Sequence, residues 1–258
     1  MKRFSRIFVA ALLIVATALT LSSCGARSVD EITESGNIIL ATNAEFEPFE
    51  YIDNGEIVGI DVEIGKKIAE KLGVELEISN MEFDSVVASV KAGKSDFGAA
   101  GLSITEERLE NVDFSDAYFD ASQMIVVPMD SDITGEADLT GKKVGVQLGT
   151  TGADYCTNTL EGVEVVNYDK YADAIQALIS DKVDAVVVDN FPATKYVEKN
   201  STEIKMLDTP LTSEPYAIAV NKGNEELLDI INEVLDEMEA SGELDELIDS
   251  YSSAILGE

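Results

Sequence analysis

The feature that most constrains the fold is an alternation of short apolar runs with helical periodicity. In the first half of the chain, an apolar run at residues 38–41 precedes apolar residues at helical spacing between residues 60 and 72. Alternating apolar residues at 74–78, a second helical pattern at 86–90 and an apolar run at 97–100 follow. The order strand, helix, strand, helix, strand is typical of a mostly parallel sheet covered by helices.

The same order of patterns returns in the second half. Strand patterns at residues 144–146, 163–166 and 185–188 enclose two helical segments, one after Thr151 and one at 174–179. The two units share an architecture without a residue-level repeat. They predict an α/β protein with two lobes, each built on its own mixed, mostly parallel sheet.

Two apolar segments outside these units indicate where the lobes are joined. One lies at residues 124–128 and the other at 215–220, before a long amphipathic helix between residues 227 and 238. We expect the chain to cross between lobes near Val127 and again near Ala217, and two crossings favour a hinge. The predicted bounds are residues 37–127 with 218–258 for the first lobe and 128–217 for the second.

The first residues resemble an export signal. A positive segment, residues 2–6, is followed by an apolar run at 7–21 that is too short for a good spanning helix. Leu21-Ser22-Ser23-Cys24 resembles the bacterial lipobox, so we predict a signal peptide at 1–23, a lipid on Cys24 and a tether at 24–36. The alternative is a plain signal peptide with an incidental cysteine. Lipidation would anchor the protein at the outer face of the cytoplasmic membrane or in the periplasm.

Composition excludes several classes of protein. The formal net charge of −32 argues against nucleic-acid binding, because phosphates would be repelled. The absence of histidine excludes Ser-His-Asp and Cys-His catalysis and most zinc sites. Cys156 is the only cysteine after Cys24, so no internal disulfide is expected, and we predict a buried thiol on a helix. We therefore predict no catalytic residue, metal or cofactor.

Polar and aromatic residues follow the predicted strands, at the edge where α/β proteins bind ligands. In the first unit these candidates are Asn43, Phe46, Gly101, Ser103 and Arg108, and in the second they are Gln147, Thr150, Thr151 and Asp189.

Arg108 and Asp189 would complement a zwitterion from opposite lobes. A guanidinium binds a carboxylate through a planar fork, and a carboxylate accepts hydrogen bonds from an ammonium group. Arg108 is equally consistent with a solvated helix residue among neighbouring glutamates, and Asp189 with a helix N-cap. The residues alone leave these alternatives open.

Five blocks of sequence together resemble one family, the polar amino-acid-binding proteins of ABC importers (solute-binding proteins, family 3). The block at residues 41–49 is similar to the opening signature of that family, and residues 59–64 to its G-F-D-x-D-L block. Residues 100–108, AGLSITEER, resemble its A-G-x-[TS]-I-T-x-x-R block, and residues 144–151 and 184–189 resemble its second-lobe blocks. The resemblance covers essentially the whole mature chain. It implies the two-lobe periplasmic-binding-protein type II, or Venus flytrap, fold.

The resemblance also implies residue roles. Arg108 would bind the ligand α-carboxylate with help from the backbone of Ser103 and Thr151. Asp189 would bind the α-ammonium with the Gly101 carbonyl and the Ser103 hydroxyl. The remaining implied site residues are Ala100, Thr150, the aromatic pair Phe46 and Phe83 around the ligand side chain, and Asn43 and Gln147, where relatives vary with substrate.

The resemblance leaves the ligand side chain open. Relatives that bind cationic amino acids often carry Asp where this chain has Asn43, and glutamine-binding relatives tend to carry a basic residue where it has Gln147. Two neutral amides suit a polar side chain, charged or not.

The predicted function is an extracytoplasmic lipoprotein that captures a polar or basic L-amino acid by lobe closure. It would act as a monomer and deliver the ligand to the membrane subunits of an ABC importer with their cytoplasmic ATPase. One alternative is a periplasmic dehydratase acting on a cyclic carboxylic acid, with Glu45 or Glu82 as general acid. A retained carboxylate clamp and ammonium partner argue against that enzyme. A sensing module that shares this fold is a further alternative.

Overall fold

The computed structural model describes residues 25–256, with side chains described through Ser252. The predicted signal peptide and the predicted lipidation site, Cys24, lie outside these residues. The helices are α1 Val29–Ser35, α2 Ile60–Leu72, α3 Val86–Lys91, α4 Glu106–Leu109, α5 Thr151–Asn158, α6 Tyr171–Ile179, α7 Asn190–Lys199, α8 Glu225–Ser241 and α9 Glu243–Leu256, with 3-10 turns at Phe83–Ser85 and Glu136–Leu139.

The strands are short and numerous. They are β1 Asn37–Thr42, β2 Glu45–Phe46, β3 Glu50–Asp53, β4 Glu56–Val58, β5 Glu75–Asn80, β6 Phe97–Gly98, β7 Val112–Phe114, β8 Phe119–Ala121, β9 Gln123–Pro128, β10 Lys143–Gln147, β11 Glu164–Tyr168, β12 Ala185–Asp189, β13 Ile204–Met206, β14 Glu214–Tyr216 and β15 Ala219–Asn221.

Two five-stranded sheets form the centres of the two lobes. Their strand orders are β5-β1-β6-β15-β7 and β11-β10-β12-β9-β13. In each sheet, the strands of the strand–helix unit pair in parallel, and the strands that return from a crossing pair antiparallel. The predicted α/β fold with two mixed sheets is confirmed. This topology places the carboxyl ends of β1 and β6 opposite those of β10 and β12.

Helix α2 shows how the apolar pattern produces this packing. Ile60, Ile64 and Ile68 recur on one face and are at most 1% exposed. Each such side chain stabilises the fold by roughly 1.5–3 kcal/mol through removal of apolar surface from water. Gly73, in a left-handed conformation, ends the helix, as the sequence predicts.

The chain changes lobes earlier than we expected. Strand β9, which contains Val127, pairs with β12 in the second sheet, so the first crossing falls before Gln123. The run at 215–220, predicted as one strand, forms two: β14 pairs with β8 between the lobes, and β15 returns to the first sheet. An apolar run fits the interior of either sheet equally well, so its hydrophobicity could not assign it to a lobe.

The predicted tether at 24–36 is largely helical. Ser28 and Glu31 form a capping box at the start of α1, and Ile32 on this helix is fully buried. The preceding Arg27 forms an ion pair with Asp96 on the first lobe, with Nε 2.8 Å from Oδ1. The helix is not evident from the sequence because the segment is acidic and its apolar face consists of only two residues, Val29 and Ile32.

The structure also bears on membrane spanning and on the state of Cys156. No helix within residues 25–256 combines the length and the apolar content needed to cross a bilayer. Cys156 is buried on α5, and burial raises the pKa of its thiol to about 12, which confirms the expected buried thiol.

Candidate functional site

Most of the predicted ligand-binding residues meet in one gap between the two lobes. Nine of the eleven line it: Phe46, Phe83, Gly101, Ser103, Arg108, Gln147, Thr150, Thr151 and Asp189. The other two lie behind it. Asn43 accepts a hydrogen bond from the Gln147 amide across the gap, with Oδ1 and Nε2 3.3 Å apart, and Ala100 packs in an apolar cluster of the first lobe.

Arg108 extends from the short helix α4 toward the second lobe. Its Nη1 donates to the carbonyl of Ser103 at 2.7 Å, and its Nη2 donates across the gap to the carbonyl of Gly149 at 3.0 Å. The guanidinium carbon lies 5.5 Å from the centre of the Phe83 ring. The side chain therefore bridges the lobes, and it does not lie free on a solvated helix face.

Burial and charge act in opposite directions on Arg108. Burial lowers the pKa of the guanidinium, and the nearby carboxylates of Asp154, Glu214 and Asp189 raise it. Because an arginine stays protonated even so, the gap contains a fixed positive charge.

Asp189 lies at the end of β12 and is 5% exposed. The hydroxyl of Tyr216 donates to its Oδ1. Burial raises the pKa of Asp189 to about 6, against the opposing effect of hydrogen bonds from Tyr216 and Gln123. Asp189 occupies the N-cap position of α7, but its side chain makes no capping hydrogen bond. The carboxylate is therefore directed to the gap, and not to the helix it precedes.

The start of α5 offers backbone donors to an anion. Thr150 caps this helix through a hydrogen bond to its hydroxyl from the Ala153 amide at 3.1 Å, and Thr151 is the first helical residue. The first N–H groups of a helix lack partners within the helix, and they favour negative charge.

Aromatic side chains form a wall of the gap. Phe46 is 7% exposed and stacks on Tyr171, with ring centres 6.0 Å apart. Phe83 lies instead against Arg108. Gly101 allows the close approach of Phe46, because a Cβ at this position would lie 2.6 Å from the ring, and its φ of +55° disfavours other residues.

A carboxylate that the sequence analysis did not consider lies beside the gap. Oε2 of Glu214 accepts hydrogen bonds from the Ser103 hydroxyl at 2.8 Å and from the Thr151 hydroxyl at 2.5 Å. Oε1 accepts from the Thr212 hydroxyl at 2.8 Å. One carboxylate thus connects hydroxyls of both lobes.

Sequence reasoning missed four residues at this site: Gln123, Tyr171, Glu214 and Tyr216. The sequence feature that could have identified Gln123, Glu214 and Tyr216 is their position where the chain crosses between the lobes. When a strand pairs antiparallel with a parallel strand of the sheet, its first residue lies beside the carboxyl end of that strand, where ligands bind. Gln123, the first residue of β9, lies opposite Asp189 at the end of β12 in this way. Glu214 and Tyr216 belong to the crossing strand itself, whose position between the lobes depends on the corrected boundary.

Comparison with known proteins agrees with this geometry. Residues 38–254 match the bacterial extracellular solute-binding proteins, family 3. The chain belongs to this family. The match spans both lobes and all the candidate ligand-binding residues.

Relatives of this family 3 protein are named for the amino acids they bind. It is 36% identical to the arginine-binding extracellular protein ArtP of Bacillus subtilis over 92% of the chain and 94% of the relative. It is 32% identical to a probable histidine-binding protein of Neisseria gonorrhoeae over 91% of each chain. The arginine-bound, truncated ArgBP of T. maritima has a similar structure, with a TM-score of 0.78, 46% identity, and coverage of 81% of this chain and 99% of that one.

The family 3 assignment settles the class of function. The chain is an amino-acid-binding solute-binding protein of an ABC transporter, extracellular or periplasmic, with the type II fold. It is a binding protein, so the dehydratase alternative is not retained.

The gap in this family 3 protein is nearly closed. The free volume among its lining side chains is about 10 Å³, roughly one water position. Gly149 of the second lobe lies close to the first lobe, since a Cβ at Gly149 would lie 3.0 Å from the Cβ of Asp84.

Proposed function

We propose that this protein captures a basic or polar L-amino acid, with L-arginine the leading candidate, by closure of its lobes, and delivers it to its importer. The observation that carries the proposal is the opposition of charges. The Arg108 guanidinium comes from one lobe and the Asp189 carboxylate from the other, and both line the same gap.

The charged groups suit the backbone end of an amino acid. The guanidinium and the N–H groups at the start of α5 are donors for an α-carboxylate, and charge-assisted hydrogen bonds contribute roughly 1.5–3 kcal/mol each. The Asp189 carboxylate and the Ser103 hydroxyl are acceptors for an α-ammonium.

The aromatic wall supports a flat or cationic side chain. The Phe46 and Tyr171 rings offer faces on which a guanidinium can stack. Asn43 and Gln147 supply neutral amides, and an acidic residue in their place would favour a cationic ligand more strongly. Histidine and glutamine therefore remain alternative ligands. The arginine-binding relatives favour arginine.

The small size of the gap supports the proposed closure. An amino acid cannot enter about 10 Å³ of space, so the lobes must separate first. A ligand that contacts both lobes favours the closed arrangement through its differential affinity.

The proposal includes a lipid on Cys24 and a monomeric protein. A lipid at the amino terminus would keep the protein near its importer. Mass spectrometry of the membrane-extracted protein, with Cys24→Ser as the control, tests the modification, and light scattering of the mature domain tests the oligomeric state.

Calorimetry tests the binding function. Wild-type protein should bind L-arginine more tightly than L-histidine, L-lysine, L-glutamine or L-cystine. Arg108→Ala should raise the Kd about 100-fold or more, because two charge-assisted hydrogen bonds are lost.

Lys94→Ala is the matched control for Arg108→Ala. It removes a positive charge from an exposed residue just before β6, at the edge of the same sheet opposite the gap. Its affinity should match that of the wild type. An Arg108→Ala protein that binds arginine normally would exclude this site.

A further inference from the structure

Glu214 accepts hydrogen bonds from both lobes, in addition to carrying a negative charge. Its Oε2 receives one hydroxyl from the first lobe, Ser103, and one from the second, Thr151. It is carried by β14, one of the two strands between the lobes. The carboxylate therefore keeps its position relative to both halves of the site.

This arrangement fixes the direction of two hydrogen bonds. A hydroxyl has a single hydrogen, and once that hydrogen is donated, only its lone pairs remain for a ligand. A carboxylate only accepts, so Glu214 commits the hydrogen of Ser103. The Ser103 oxygen then faces a ligand as an acceptor.

The hydrogen of the Thr151 hydroxyl is likewise committed within the protein. It donates to Glu214 and accepts from Nε2 of Gln123 at 3.3 Å. The contribution of Thr151 to a ligand carboxylate is thereby left to its backbone N–H, at the start of α5. The hydroxyls of Ser103 and Thr151 are thus kept from donating to the ligand.

We propose that Glu214 is a specificity residue that selects an α-ammonium over an α-hydroxyl by holding the Ser103 hydroxyl as an acceptor. This inference rests on the proposed function of amino-acid capture. An ammonium group has three hydrogens and donates to Asp189 and Ser103 together. A hydroxyl has one hydrogen and satisfies only one of them.

The charge of Glu214 acts in the same direction. It adds a second anion near the position of the ligand nitrogen, and its field reaches both Asp189 and Arg108. A cationic group gains from this field, and a neutral hydroxyl does not.

The test compares two ligands that differ only at the α-position: L-arginine and its 2-hydroxy analogue, L-argininic acid. In Glu214→Ala, the preference for arginine over the analogue should fall about tenfold, since one charge-assisted hydrogen bond loses its enforced direction. Ser103→Ala should lower the same ratio, and the double variant should lower it little further.

Glu75→Ala is the matched control, because this exposed glutamate starts β5 at the edge opposite the gap, and its ratio should equal that of the wild type. Thermal unfolding without ligand reports folding separately. If Glu214→Ala does not fold, the ratio measured for Ser103→Ala decides.

The outcomes separate the two proposals. A wild-type protein that binds no amino acid would overturn the proposed function itself. A wild type that binds arginine, with variants that weaken both ligands equally or leave the ratio unchanged, would overturn the specificity role alone.

Discussion

Asp189 is subject to two opposing influences. Burial favours its protonated form, and the hydrogen bonds from Tyr216 and Gln123 favour its charged form, with burial the stronger. An ammonium ligand requires the charged form. Binding and protonation of this residue therefore compete near pH 6.

This competition predicts a pH-dependent affinity. Below about pH 6, arginine affinity should fall about tenfold per pH unit, because the protein must release a proton to bind. Between pH 3.8 and about 6 the folded protein retains a proton that the unfolded chain has lost, so the contribution of Asp189 to ligand-free stability falls as pH rises.

Calorimetry between pH 5 and 7.5 measures the effect. Asp189→Asn should remove this dependence, and any that remains would belong to other buried carboxyls, such as Asp61, whose pKa burial raises to about 6, and Glu50, whose pKa burial also raises. A wild-type affinity that is flat across this range would contradict the assigned role of Asp189.

Adding even a methyl group at Gly101 should destabilise the protein. Gly101→Ala should lower the free energy of unfolding by about 1–3 kcal/mol and displace Phe46, because the new methyl group meets the ring and φ is positive. Gly135→Ala is the matched control, since its φ of −179° is extended and no atom lies within 4 Å of the added Cβ. Urea denaturation of the two variants compares these costs.

The residues together with the family resemblance predict a set of ligand-binding residues, most of which line the gap. Asp189 is a charged residue at the end of a predicted strand, and Arg108 is the cation in the helix that follows another predicted strand. Tyr171 and Glu214 do not stand out, because a tyrosine on a helical face and an acid before an apolar run are ordinary features of any core or surface. The pairing of β14 with β8, and the bridge between Tyr216 and Ser103, bring Glu214 beside Ser103 and Thr151.

At the scale of elements, periodicity predicted the long segments and missed the short ones. Helix α2 and strand β12 are dense in apolar residues, so their patterns are unambiguous. The hairpin strands β3 and β4 and the strand β7 span three or four residues, too few to show a period. Their pairing depends on contacts with distant segments.

Helix α1 supplies a test of the corrected amino-terminal region. Ile32→Ala should lower the free energy of unfolding by about 2–5 kcal/mol, because a fully buried side chain would leave a cavity. Glu34→Ala, an exposed position on the same helix, should change it by less than about 0.5 kcal/mol. Equal, small effects in denaturant titrations would mean that this segment does not pack on the first lobe and is a tether, as the sequence predicts.

At the scale of the whole molecule, ion pairs join the lobes at the rim of the gap. Glu47, beside the hairpin of the first lobe, pairs with Lys199 of α7 at 2.7 Å, and Glu45 pairs with Lys170 of the second lobe. Aromatic rings join them at the crossing, where Phe119 lies 5.3 Å from Phe191 between ring centres. The closed arrangement therefore has a polar rim and an apolar pivot.

The rim predicts a salt-sensitive affinity. Glu47→Gln should weaken arginine binding about two- to fivefold at low ionic strength, with little effect at about 1 M salt, because exposed ion pairs contribute roughly 0.2–1 kcal/mol and are screened. Glu243→Gln is the control, since Glu243 pairs with Lys67 within the first lobe. Calorimetry at two salt concentrations separates the variants, and an equal effect of both would contradict a role for the rim in closure.

The sequence predicted two sheets and a cleft but not the division of the chain between them. Repeated strand–helix units indicate parallel pairing within each lobe. The four strands at the crossings, β8, β9, β14 and β15, pair antiparallel, and an apolar strand reads alike in either sheet. Their assignment is a property of the folded topology.

If Cys24 carries the proposed lipid, the position of Arg27 limits how far the protein can move from a membrane. Its ion pair with Asp96 fixes the chain to the first lobe only two residues after Gly25. An extended chain spans at most about 3.5 Å per residue, so a lipid on Cys24 would lie within roughly 10 Å of Arg27 on this lobe. So short a connection would keep the first lobe next to the bilayer.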